Sequence, residues 1–140
     1  MDWKQCQEEA NAIKIYANKE RAISLMKSAR NMMEFVINIE LNDKNASILL
    51  KNAYESLLEL LHALLYSKGY KVLNHVCVGY FIRDELKDAE AFYIFDKYRK
   101  IRNSIVYYGE SVEREVAEEA IKEIKGLFDK IEKIIEKGRK

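Results

Sequence analysis

Proline is absent from this chain of 140 residues, and glycine occurs only 5 times. All-β folds use both at their turns, so this scarcity argues against a sandwich or barrel and leaves long, uninterrupted helices. No apolar run reaches the ~20 residues that a membrane span requires. The opening segment, Met1 to Ala10, is too polar to serve as the apolar core of a signal peptide. Charge of one sign is lacking too. The 24 Lys and Arg against 23 Asp and Glu leave a net charge of +1. No global field calls for a nucleic acid or a membrane as partner, so any site for a polyanion has to be local. The 2 cysteines, Cys6 and Cys77, are far apart and lack metal-ligand spacing. They read as reduced thiols of a cytosolic protein. His62 and His75 have no nearby Cys or carboxylate pattern that would hold a metal. There is no glycine-rich phosphate loop, and no motif for a metal or a cofactor stands out.

What is present fits a single globular domain. Apolar residues make up 49% of the chain and charged residues 34%, which is far from a disordered composition. Lys, Glu and Ile are abundant and Gln is confined to Gln5 and Gln7, a bias shared with heat-adapted proteins.

Apolar spacing predicts the elements. Trp3, Cys6, Ala10, Ile13 and Ala17 form one stripe. The phase slips at Asn18 to Arg21 and resumes at Ala22, Met26, Ala29, Met33 and Val36. Residues 2–41 are therefore either two helices or one bent helix. A loop of Asn and Asp follows, and Asn45-Ala46-Ser47, which matches a glycosylation acceptor, reads instead as loop and helix cap. The second major helix runs from about Ala46 to Lys68. Leu50, Ala53, Leu57, Leu61, Leu64 and Leu65 line one side, and Leu49, Leu58 and Leu60 widen the stripe as in a central helix. Gly69 is its stop. A short helix from Asn74 to Leu86 has Asn74 as N-cap, and another helix spans about Asp88 to Val106. Ser111 can cap the last helix, whose stripe is Ala117, Ala120, Ile121, Ile124, Leu127, Phe128, Ile131 and Ile135. The expected architecture is all-α: an antiparallel up-and-down bundle of four to six helices.

One residue disturbs this pattern. Between Asp88 and Val106, residues Ala91, Ile94, Phe95, Tyr98, Ile101, Ile105 and Val106 fall in one apolar arc, and Arg102 lies near its middle. A guanidinium cannot shed its charge on burial. Either a buried carboxylate or carbonyl pairs with it, or that face opens on a cleft or a second subunit. Asn103 follows it, Lys97, Arg99 and Lys100 precede it, and Tyr107 and Tyr108 lie just beyond. Arginine, amide and phenol together can hold a phosphate and stack on a base. A run of charge on a helix is more often a solvated face. His62, beside Leu61 and Leu65, reads as a core histidine. His75 could reach the Arg102 face only if the third helix packs there. Met32, Met33, Phe81, Phe92, Phe95 and Phe128 read as core.

The stretch Tyr98-Arg99-Lys100-Ile101-Arg102-Asn103-Ser104-Ile105-Val106-Tyr107-Tyr108-Gly109 resembles the signature of HEPN (higher eukaryotes and prokaryotes nucleotide-binding) domains. Their hallmark is an Arg, usually followed by a polar residue such as Asn, with a His four to six positions on. Asn52 to Leu65 is similar to the central helix of that family. Ser67-Lys68-Gly69-Tyr70-Lys71 and His75 are similar to its continuation in archaeal-type members. The resemblance covers about Arg21 to Lys137 and leaves residues 1–20 as a helical addition to a bundle core at 21–137, all within one domain.

The resemblance implies a bundle that dimerises, with the motif helices of two subunits forming a shared basic cleft. It also implies metal-independent ribonuclease activity, nucleotide binding, or pairing with a small nucleotidyltransferase as toxin and antitoxin. In this chain Tyr107 stands where the His is expected, and a phenol of reference pKa ~10 is a poor proton shuttle at neutral pH. The leading expectation is thus a degenerate site around Arg102, Asn103, Arg99, Lys100, Tyr107, Tyr108 and His75. It would bind RNA, a nucleotide or a partner nucleotidyltransferase across a homodimer cleft. The alternatives are a ribonuclease using Arg102 with Tyr107 or His75, and a structural interaction module whose Arg102 pairs internally.

Overall fold

The computed structural model describes residues 1–138. Among these, six helices and one two-stranded sheet follow in the order α1 (Trp3–Glu8), β1 (Ala12–Lys14), α2 (Lys19–Ile37), α3 (Ala46–Lys68), β2 (Tyr70–Val72), α4 (His75–Asp84), α5 (Ala89–Tyr108) and α6 (Arg114–Gly138). The chain is an all-α bundle, as its composition and periodicity require. No helix of the described residues is long and apolar enough to cross a membrane.

α3 is the central element and packs against α2, α4, α5 and α6. Every leucine of its widened stripe is buried. α2 and α6 bury the stripes expected of them: Ala22, Met26, Ala29, Met33 and Val36 on α2, and all eight residues from Ala117 to Ile135 on α6. Small residues let α2 and α3 approach closely. Ala29 and Ala53 are fully buried, and the Ser56 hydroxyl, fully buried as well, donates to the Ala29 carbonyl at 2.8 Å. That bond satisfies a hydroxyl that would otherwise destabilise the core. Of the residues read as core by type, Met33, Phe81, Phe95 and Phe128 are buried, while Met32 and Phe92 are only partly covered.

The first eighteen residues depart from the expected helix. α1 stops before completing two turns, and Ala10 just beyond it adopts a positive φ of 59°, which a helix cannot continue through. Ile13 then lies in β1, paired antiparallel with β2 through Ala12↔Val72, Ile13↔Lys71 and Lys14↔Tyr70. The stripe from Trp3 to Ala17 is therefore not one helix face: Trp3 and Cys6 are buried, whereas Ala10 and Ala17 are exposed. Trp3 wedges edge-on between Tyr70 and Phe81, with ring centroids 5.3 and 5.2 Å away.

The cysteines are also not the free thiols expected. Cys6 of α1 and Cys77 of α4 form a disulfide across 71 residues of sequence. Cysteine spacing alone cannot reveal that pair, because β1 and β2 bring the two helices together. The N-terminal segment is thus tied covalently to the bundle.

Helix ends follow local chemistry with three differences. Asn74 caps α4 through Oδ1 to the Val76 N–H at 2.8 Å, and Gly69 closes α3 at φ 89°. Asn45 precedes α3 but makes no side-chain cap. Its amide is spent on the preceding loop, accepting from Asn42 N and donating to the Glu40 carbonyl. α5 continues to Tyr108 and ends at Gly109, φ 64°, two residues beyond the expected limit. α6 begins only at Arg114, so Ser111 is not its immediate cap. The Val112 N–H instead donates to the Ser47 hydroxyl, which ties the α5–α6 connection to the start of α3.

Candidate functional site

The elements that frame Arg102 are α3, α4 and α5. Asp88 starts α5 by accepting from the Ala91 N–H, and Lys130 of α6 holds the same carboxylate. Gly79 lets α4 lie against α5, since a Cβ there would sit 3.3 Å from Phe92 and 3.4 Å from Phe95. This close approach brings the first turn of α4, with His75, to the side of α3 and α5 that carries Tyr54, Glu55 and Arg102. The condition for His75 to join the cluster is met.

Arg102 donates from Nε to Glu55 Oε1 at 2.7 Å, and the two side chains retain only 14% and 27% of their surface. Nη1 reaches Asn103 Oδ1 at 3.3 Å, and the Tyr107 ring centroid lies 5.9 Å from the guanidinium carbon. The anomaly of a cation in an apolar arc is thus answered by an acidic partner. Burial works against the Arg102 charge, but Glu55, with a lesser contribution from the Tyr107 phenol, more than offsets it and raises the pKa. Arg102 is held permanently charged.

His75 lies beside this pair. Its Nδ1 is 3.4 Å from the Tyr54 hydroxyl, and the Tyr54 ring packs 5.5 Å from Phe95. Burial lowers the His75 pKa, and the charges of Arg102 and Arg99 lower it further against the opposing pull of Glu55. His75 is therefore neutral at pH 7 and able to accept a proton. Burial also raises the Tyr54 phenol, with Glu55 adding to the effect, so Tyr54 serves as a hydrogen-bonding group and not as a base. His62 is more strongly affected: burial, and then His75, lower its pKa to about 4.

The remaining predicted residues separate into two groups. Arg99 donates to Asp96 Oδ1 from Nε and Nη2 at 3.0 and 2.8 Å, and Lys100 reaches the same carboxylate at 3.1 Å. Both cations are thus partly neutralised. Tyr107 and Tyr108 are 68% and 80% exposed, and Tyr108 takes no part in the Arg102 cluster. Sequence reasoning missed Glu55, Tyr54 and Asp96. Glu55 carries no distinct signal in the sequence, since Lys51, Asn52, Ser56 and a second acid, Glu59, stand close to it on α3.

The apolar arc of α5 is covered only in its first half. Ala91, Phe95 and Tyr98 are buried, Ile101 and Ile105 are partly covered, and Val106 is exposed along with Ile48 of α3. The Arg102 cluster thus borders an open, partly apolar surface with two projecting phenols. Compared with known protein families, curated proteins and solved structures, the chain matches none.

Proposed function

We propose that this chain is a HEPN-like binding protein with a degenerate site, in which two copies meet along the second half of α5 and hold RNA or a nucleotide at Arg102. The observation that carries this reading is the Arg102–Glu55 pair set at the edge of an uncovered apolar surface beside Tyr107. A guanidinium already ordered by a carboxylate still has N–H groups to offer a phosphate, and exposed phenols offer faces for stacking. The half-covered Ile101 and Ile105 give a second copy something to bury. Binding should fall as salt rises, because phosphate contacts release counterions. RNA binding by wild type and Arg102→Ala, measured side by side, tests the site. Equal binding by the two proteins would remove it. Sedimentation tests the shared cleft, and a monomer at all concentrations would contradict it. A small nucleotidyltransferase is the other partner that the resemblance allows. Stable complex formation with such a protein, and no binding of RNA, would favour that partner.

A second reading is favoured by the position of His75. A neutral imidazole near a fixed guanidinium is the pair needed for metal-independent RNA cleavage. His75 would take the proton from the 2′-hydroxyl as its oxygen bonds to phosphorus. The bond from phosphorus to the 5′-oxygen would break to leave a 2′,3′-cyclic phosphate and a 5′-hydroxyl that takes its proton from water, and Arg102 would stabilise charge on the phosphoryl oxygens. Cleavage without metal that is lost in both His75→Ala and Arg102→Ala would establish it. An RNA panel left intact by wild type would reject it.

A further inference from the structure

On the side of α3 that faces α2 and α6, a crevice of about 300 Å³ opens between the start of α2 and the last turns of α3 and α6. Its floor is aliphatic. Ala22, Met26, Leu64 and Ile135 are nearly fully buried there, and Ile23 stands at the edge, 44% exposed. Lys19 and Lys68 line the same crevice. Neither pairs with a carboxylate among the described residues; the lysines that do are Lys97, Lys100, Lys125 and Lys130. Among the described residues no acidic side chain lines it. The shallower crevices near Arg30, near Glu118 and near Arg83 each include a carboxylate.

Backbone geometry keeps the two lysines at one end. The Asn18 N–H donates to the Tyr66 carbonyl at 2.9 Å, which pins the start of α2 to the last turn of α3. The carbonyls of that turn are already engaged: Leu64 by the Ser67 hydroxyl at 2.6 Å, and Leu65 and Tyr66 by the Gly69 N–H. Lys19 and Lys68 are both exposed where they line the crevice, and each carries its ammonium group on a stem that can lie along the apolar wall.

We propose that this crevice binds a free aliphatic monocarboxylate, with the chain on the Ala22, Met26, Leu64 and Ile135 floor and the carboxylate between Lys19 and Lys68. The volume is at the lower end for ligand sites, which run from roughly 300 to 1,000 Å³, and suits a single medium-length chain. The inference is independent of the Arg102 site.

The test uses the whole protein, with octanoate and octanol as probes and the methyl resonances of Ile23, Leu64 and Ile135 as reporters. Octanoate should shift these methyls and bind about tenfold more tightly than octanol, the gain expected from two partly exposed charge pairs. Lengthening the chain should tighten binding by about fourfold per methylene until the crevice is full. The double variant Lys19→Glu, Lys68→Glu changes only exposed side chains, so its fold should persist by circular dichroism. It should lose the preference for octanoate while keeping the affinity for octanol. Equal affinity for the two probes, an unchanged preference in the double variant, or octanoate shifts confined to other parts of the protein would each overturn the proposal.

Discussion

Arg102 on α5 donates to Glu55 on α3 at 2.7 Å, joining residues 47 apart in sequence. This bond makes the cluster both a structural tie and a candidate ligand site, and the two roles separate by mutation. Arg102→Ala strands a Glu55 that is still 27% exposed, so the cost should be about 1–2 kcal/mol, below that of breaking a fully buried pair. Glu55→Gln keeps a hydrogen-bond acceptor but removes the competing charge. It should strengthen RNA binding several-fold while lowering the melting temperature only slightly. If Glu55→Gln and Arg102→Ala weaken binding alike, the pair acts only through the fold.

His62 sets the acid stability. Its pKa is about 4 in the folded chain against 6.5 for the free side chain. Between those values the unfolded state holds the extra proton, so stability is full above about pH 6.5 and is lost as pH falls towards 4. The loss should reach up to about 3 kcal/mol. The lowered pKa of His75 acts in the same direction. Asp84, Asp88 and Asp96, held below the usual carboxylate range by their cationic partners, act only at lower pH. Denaturant midpoints across pH 4 to 7 check this, and His62→Gln should flatten the profile.

Reduction of Cys6–Cys77 should lower stability by up to about 4 kcal/mol, the loop-closure figure for a span of 71 residues. Melting with and without a thiol reductant measures it, and alkylation of the native, unreduced protein should label no cysteine. Two readily alkylated thiols would refute the bridge.

Gly69→Ala should cost about 2 kcal/mol or more, through its positive φ and a steric clash. Its φ is 89°, and the new Cβ would stand 2.8 Å from the Ile15 carbonyl oxygen. A melting curve equal to that of wild type would contradict the close approach of the β1 and β2 segments.

The parts of this fold that can be read along the sequence are those whose burial follows helical spacing. The stripes of α2, α3 and α6 each face neighbours on one side only, or on nearly all sides, and either case leaves a periodic record. The N-terminal segment keeps no such record. Its spacing from Trp3 to Ala17 imitates a helix, while Ile13 and Ile15 alternate as in a strand, and the deciding partner, Tyr70–Val72, lies far along the chain. The candidate site divides in the same way. Arg102 announces itself because a cation interrupts an apolar arc. Glu55 and His75 become its neighbours only through the packing of α3 and α4 on α5, which no local window contains.

The Cys6–Cys77 bridge also changes the connectivity of the molecule. It closes residues 6 to 77 into a covalent ring that holds α2 and α3, with α5 and α6 as a tail outside it. A protease that nicks the exposed Asn42–Lys44 loop opens the ring but releases no fragment. Two cuts within the ring are needed before any part of it can diffuse away.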